Sequence, residues 1–248
     1  DDHRPVPEAL GVRRAYVVLP QHFQHGGARH THLDSHELKG KDQRGQDHLL
    51  DLEAHQRGGH PGIASLCTAN RYVIAACMQA ALRDGSLLLL EATSNQVNQY
   101  GGYTGLTPAA FAKFTRQIAL QMRFPLERLL LGGDHLGPNP WAQEPSTSAM
   151  QKAVRLVGDY ARAGFVKIHL DASMPCAGDP PNPDPQVAAE RAAILCAAAE
   201  EAAPGLAVYV IGTEVPPPGG AIGAESLHIT LPQDARRTLE LHRQAFAG

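Results

Sequence analysis

Nowhere does this sequence sustain the roughly 18 consecutive apolar residues that a membrane span requires. Its first residues also lack the basic, apolar and small-residue succession of a secretory leader. Charge of one sign is equally scarce. Lys and Arg total 22 against 25 Asp and Glu, for a formal net charge of −3, which argues against a nucleic-acid binder or a polybasic membrane binder. The four cysteines, Cys67, Cys77, Cys176 and Cys196, show no CxxC spacing, so neither a zinc knuckle nor a disulfide framework is expected. There is no GxxxxGK[ST] phosphate loop and no GxSxG nucleophile elbow. These absences leave a cytoplasmic protein with no nucleic-acid and no membrane partner as the expectation.

What is present is unevenly distributed. The 248 residues, 43% of them hydrophobic, suffice for one large α/β barrel or two ordinary domains. Six of the 13 histidines precede residue 47. Residues 18–47, VLPQHFQHGGARHTHLDSHELKGKDQRGQD, have neither helical nor strand periodicity and too little apolar surface to offset the entropy of ordering. Residues 1–47 are therefore expected to be a disordered or non-native extension, and 48–248 the folded domain. Metal binding by the histidines of the extension is the alternative reading.

From residue 48 the pattern becomes regular. A short amphipathic helix is expected over 48–58, then strands at GIASLC (62–67), LLLLEA (87–92), LLLGGD (129–134), FVKIHLDAS (165–173) and AVYVIGTEV (207–215). Helices are expected over 70–83, 107–122, 147–163, 186–203 and 232–246. Thr107-Pro108 has the form of an N-cap followed by proline at the first helical position. Five strand–helix units in a row, with short and nearly all-apolar strands, predict a parallel sheet with right-handed crossovers. Polar residues gather at the strand ends: Glu91, Asp134, Asp171 and Glu214. A doubly wound sheet concentrates its chemistry at one switch point, whereas a barrel recruits it from several strands. The spread favours a (β/α)8 barrel, of which only about five units are visible.

The strand ends supply the candidate site. In LLLGGDHLGPN (129–139) an apolar strand delivers Asp134 and His135 together, a proton acceptor beside a metal ligand. A helix-capping Asp beside a rim-filling His is the alternative. Period-two alternation puts Lys167, His169 and Asp171 on one face of the fourth strand. Such a column is costly to bury unless it is metal-bound or paired, Lys167 with a neighbouring carboxylate in the second case. Glu91, Asp134 and Glu214 are the candidate acid–base carboxylates, and His135 and His169 the candidate metal ligands. Asn95, Gln96 and Asn98, together with Asn139, Asp171 and Ser173, supply hydrogen-bonding groups suited to a polyhydroxylated ligand. GGYTG (101–105) and Gly219-Gly220 are weak candidates for a phosphate cradle. His228 reads as structural.

EATSNQVNQYGGYTG, LGGDHLGPNPW, FVKIHLDASMPCAGDP and IGTEVPPPGG, in this order, resemble the GatZ/KbaZ family, the accessory subunits of D-tagatose-1,6-bisphosphate aldolase. The resemblance runs from about His48 to Gly248. It implies a TIM barrel related to the class II, zinc-dependent ketose-bisphosphate aldolases. Asp134-His135 then resembles their Asp-His pair of proton donor/acceptor and zinc ligand, while Asp171, Ser173 and Glu214 lie in segments of similar character. The implied role is a non-catalytic partner of a class II tagatose-bisphosphate aldolase catalytic subunit, in the breakdown of galactitol, N-acetylgalactosamine or tagatose. The alternative is a zinc- or manganese-dependent aldolase or 4-epimerase acting on a ketohexose or its phosphate. Family members continue past the helix that ends this sequence, so the expectation is a barrel truncated after five units.

Overall fold

The computed structural model describes residues 15–16, 63–181, 183–212 and 232–247. Strands β1 (Ala15–Tyr16), β2 (Ala64–Cys67), β3 (Leu88–Thr93), β4 (Leu129–Leu136), β5 (Lys167–Leu170) and β6 (Val208–Ile211) form one sheet in the order β1-β6-β5-β4-β3-β2. Every adjacent pair is parallel. Helices α1 (Arg71–Asp84), α2 (Pro108–Gln121), α3 (Ser146–Arg162), α4 (Pro185–Ala202) and α5 (Pro232–Ala247) alternate with the strands. From β2 to β6, neighbours in sequence are neighbours in space. Right-handed crossovers that always step the same way place their helices on one face, and no switch point arises. The five expected strand–helix units are all present, as a parallel α/β sheet among the described residues.

Local chemistry sets the helix limits. Asn70 caps α1, its Oδ1 accepting from the Tyr72 amide at 2.9 Å, and Gly85 ends the helix at φ 77°. Thr107 caps α2 by accepting from the Ala110 amide, with Pro108 at the first turn, so the expected motif forms. The strand faces then sort by alternation. Leu88, Leu90, Leu131, Ile168, Leu170, Tyr209 and Ile211 join the core with Ile74, Met78, Phe111, Leu156 and Tyr160 from the helices. Each such side chain contributes about 1.5–3 kcal/mol on burial. The buried Tyr160 hydroxyl donates to the Val97 carbonyl at 3.0 Å, tying α3 to the loop that follows β3.

Two findings depart from expectation. β4 runs through Gly132-Gly133 and on to Leu136, beyond the expected end at Asp134. And Ala15–Tyr16, inside the segment expected to be unordered, pairs in parallel with Tyr209 and Val210 of β6. The run Ala15-Tyr16-Val17-Val18 is rich in strand-favouring residues, and the edge of β6 offers unpaired backbone groups. The rest of 1–47 and the helix expected over 48–58 lie outside the described residues.

Candidate metal centre at the strand ends

Successive residues of a regular strand face opposite sides, so Asp134 and His135 would not ordinarily meet. They meet because β4 is irregular. Its register with β5 shifts between Gly133 and Leu136, and His135 has φ +47°, a left-handed conformation that costs a non-glycine residue on the order of 1–3 kcal/mol. The surroundings hold it there. The Ser94 hydroxyl donates to the His135 carbonyl at 2.9 Å, and the Asp171 amide donates to the Leu136 carbonyl at 2.9 Å. Gly137 is obligatory: a Cβ there would stand 1.6 Å from the Asp171 carbonyl oxygen.

The outcome is a cluster. Asp134, His135 and His169 each present a ligand atom, all within 4.8 Å of one another. His169 Nδ1 is 3.3 Å from Asp134 Oδ1 and 3.4 Å from the His135 amide, contacts longer than well-formed hydrogen bonds. The His135 and His169 rings lie 4.3 Å apart. His135 Nδ1 is 2.9 Å from Asp171 Oδ2, and the other Asp171 oxygen accepts from the Ser173 hydroxyl at 2.9 Å and the Ser173 amide at 3.2 Å. A carboxylate fixing one imidazole nitrogen so that the other faces the centre is the usual outer support of a metal-binding histidine. Burial works to raise the pKa of Asp134, but the contact with His169 and the charges of His135 and Lys167 prevail and hold it at about 2. Two imidazoles and an ionised carboxylate make a donor set that fits zinc.

Of the residues expected at the site, Asp134, His135, His169, Asp171 and Ser173 are brought together. Glu91 is buried and pairs with Lys167, whose Nζ lies 2.7 Å from Glu91 Oε1, the pairing that was the alternative reading of Lys167. Asn98 is committed to its own loop: its Nδ2 donates to the Ser94 carbonyl at 2.9 Å, and its Oδ1 accepts from the Tyr100 and Gly102 amides. Gln96 Oε1 accepts from the Thr93 amide at 2.8 Å. Asn95 and Asn139 are exposed. The amides of Gly101, Gly102, Tyr103 and Thr104 all donate to Asn95, Gln96 or Asn98. Those amides are spent on the loop itself, which removes GGYTG as a phosphate cradle. Glu214, Gly219-Gly220 and His228 lie outside the described residues.

Sequence reasoning missed Cys67. The Cys67 thiol faces the same centre and is pushed up to about 12, by desolvation first and then by Asp134 and Glu91. Its position at the carboxyl end of β2, like those of the polar residues ending the other strands, was the available signal. Among the described residues, no helix is long and apolar enough to cross a membrane.

Residues 49–248 match the family described as D-tagatose-1,6-bisphosphate aldolase subunit GatZ/KbaZ-like. The chain is 53% identical over 200 residues to the D-tagatose-1,6-bisphosphate aldolase subunit GatZ of Salmonella newport (strain SL254), covering 79% of this chain and 47% of that relative. It is 55% identical, with the same coverage, to the subunit of that name from Klebsiella pneumoniae. A crystal structure of a probable tagatose 6 phosphate kinase from Sinorhizobium meliloti 1021 superposes with a TM-score of 0.68 at 49% identity, covering 75% of this chain and 44% of that one. The chain thus spans about half the length of the relatives it matches. Within that half, residues 49–248 belong to the D-tagatose-1,6-bisphosphate aldolase subunit GatZ/KbaZ-like family.

Proposed function

We propose that this chain works as a non-catalytic subunit of a class II D-tagatose-1,6-bisphosphate aldolase, sustaining the activity and stability of a separate catalytic subunit in the cytoplasm. The observation that carries the reading is the match over 49–248 to relatives named as that aldolase's subunit. The test is to mix the purified chain with a class II tagatose-bisphosphate aldolase catalytic subunit and follow both turnover and loss of activity on warming. Higher turnover and slower inactivation than with the catalytic subunit alone support the role. Identical curves with and without this chain defeat it.

A second reading is favoured by the cluster itself: a zinc- or manganese-dependent aldolase or 4-epimerase acting on a ketohexose or its phosphate. His135 and His169 would hold the ion, which when bound would stabilise developing negative charge on a substrate oxygen. Asp134, ionised at neutral pH, is the candidate proton acceptor of this reading, and Glu214 the second acid–base candidate. Asp171 and Ser173 orient His135, and the exposed Asn95 and Asn139 are the groups left to meet a sugar. His135→Ala is expected to lower zinc retention after dialysis, measured by elemental analysis. Wild-type zinc content in that variant would remove His135 from the ligand set.

A further inference from the structure

The irregularity in β4 amounts to one inserted residue. Gly133 is in register with Ile168 and Leu136 with Leu170, so β4 advances three residues where β5 advances two. That is a β-bulge, a feature that bends a strand locally and re-aims side chains beside functional sites. It turns Asp134 and His135, which alternation would send to opposite faces, towards one centre with His169. Both flanks of the bulge are fixed in the core, Leu131 at 4% exposure and Leu136 at 0%. Gly133 leaves room for Leu136 to return there, since a Cβ at 133 would overlap the Leu136 side chain. With both flanks fixed, the distortion is concentrated on His135, at φ +47°.

What secures the backbone of His135 comes from the neighbouring strand. β3 and β4 stay in register up to Thr93 and Asp134, so Ser94 is the first residue past the end of that ladder and His135 stands opposite it. The Ser94 hydroxyl, donating to the His135 carbonyl at 2.9 Å, takes the place of the next ladder bond. Ser94 is only 1% exposed and is itself held. Its carbonyl accepts from Asn98 Nδ2 at 2.9 Å, and the Gln96 and Val97 amides close the turn on the Thr93 carbonyl at 3.1 and 3.0 Å. The donor is thus fixed in place and shielded from water, where a lost hydrogen bond is hardest to replace. Asp171 orients the His135 ring, whereas Ser94 acts on the backbone that carries it.

We infer that Ser94 is a positioning residue for the metal centre: its hydroxyl holds the inserted residue of the β4 bulge left-handed, and so keeps the His135 imidazole on the face where Asp134 and His169 stand. The inference rests on the reading of the cluster as a metal centre. Without the hydroxyl, His135 is free to relax towards an extended conformation, which swings its ring away from the other two ligands. A purely structural tie between the loop after β3 and β4 would lower the melting temperature and leave metal binding by the folded protein unchanged, which makes the two separable.

The experiment titrates the full chain with Co2+ as a spectroscopic substitute for zinc and follows the visible absorption band. Circular dichroism and thermal melting check the fold of each variant. Wild type is expected to show a saturable band. Ser94→Ala is expected to bind about ten-fold or more weakly, the scale of lost outer support, with a shifted band. Ser94→Thr, which keeps the hydroxyl, is expected to stay close to wild type, and Ser94→Val, of the same shape without it, to behave as Ser94→Ala. If Ser94→Ala fails to fold, the Thr and Val pair decides, since the two differ only in the hydroxyl. Wild-type affinity and band in a folded variant without the hydroxyl overturn the positioning role while leaving the metal centre standing. No Co2+ band in the wild type overturns the metal centre, and the positioning role with it.

Discussion

The two faces of the sheet are built from the same strands by opposite means. On the helix side, Leu88, Leu90, Leu131, Ile168 and Tyr209 pack against α1 to α4, and their contribution is nondirectional and spread over many contacts. On the other side, Glu91, Asp134, Lys167 and His169 alternate with them along the same strands and are held by specific partners. Apolar packing tolerates a change of shape if volume is kept. A charged layer tolerates little, because each group removed leaves a buried partner unsatisfied. The comparison teaches that stability resides mainly on one face and chemistry on the other.

The comparison breaks first, if at all, on the packed side. Leu156 is fully buried, and Leu156→Ala should cost about 2–5 kcal/mol. At about 2–4 °C per kcal/mol for a domain of this size, thermal melting should show a fall of roughly 4–20 °C, with no change in metal binding by folded protein beyond that loss. A smaller contribution belongs to Asp134. Its pKa is held at about 2 against the ordinary 3.8. The stabilisation is therefore fully present above about pH 4 and is lost as pH falls towards 2, an amount of about 2 kcal/mol at most. Denaturant midpoints across that window should fall less steeply for Asp134→Asn than for wild type. Equal slopes would mean that Asp134 is not held by its neighbours. Smallest of all, deleting residues 1–47 removes the two-residue pairing of β1 with β6 and should move the melting temperature by only about a degree or two. A large fall would show that the edge strand supports the sheet far beyond its length.

Much of the fold was legible because its signals are local. Asn70 and Thr107-Pro108 announce their helices through the atoms that cap them, and apolar runs such as Leu87–Leu90 mark strands buried on both faces. The Asp134-His135 pair was legible as chemistry. Its geometry was not, since nothing in the dipeptide states that His135 turns left-handed or that Asp171, 36 positions on, meets its ring. Asn98 read as a sugar ligand because an amide in a polar loop looks alike whether it faces solvent or its own backbone. Cys67 was missed because its neighbour across the sheet is Glu91, a relation of register with no trace in spacing.

By itself the sequence determined the order of elements, the face each strand residue takes and the families of side chain at the strand ends. These follow from periodicity and capping, which act over a few residues. Only the tertiary structure decided which of those side chains meet. The left-handed His135 and the close approach at Gly137 depend on strands brought side by side, because contacts between residues tens of positions apart are set by packing, not by the pattern within any one segment.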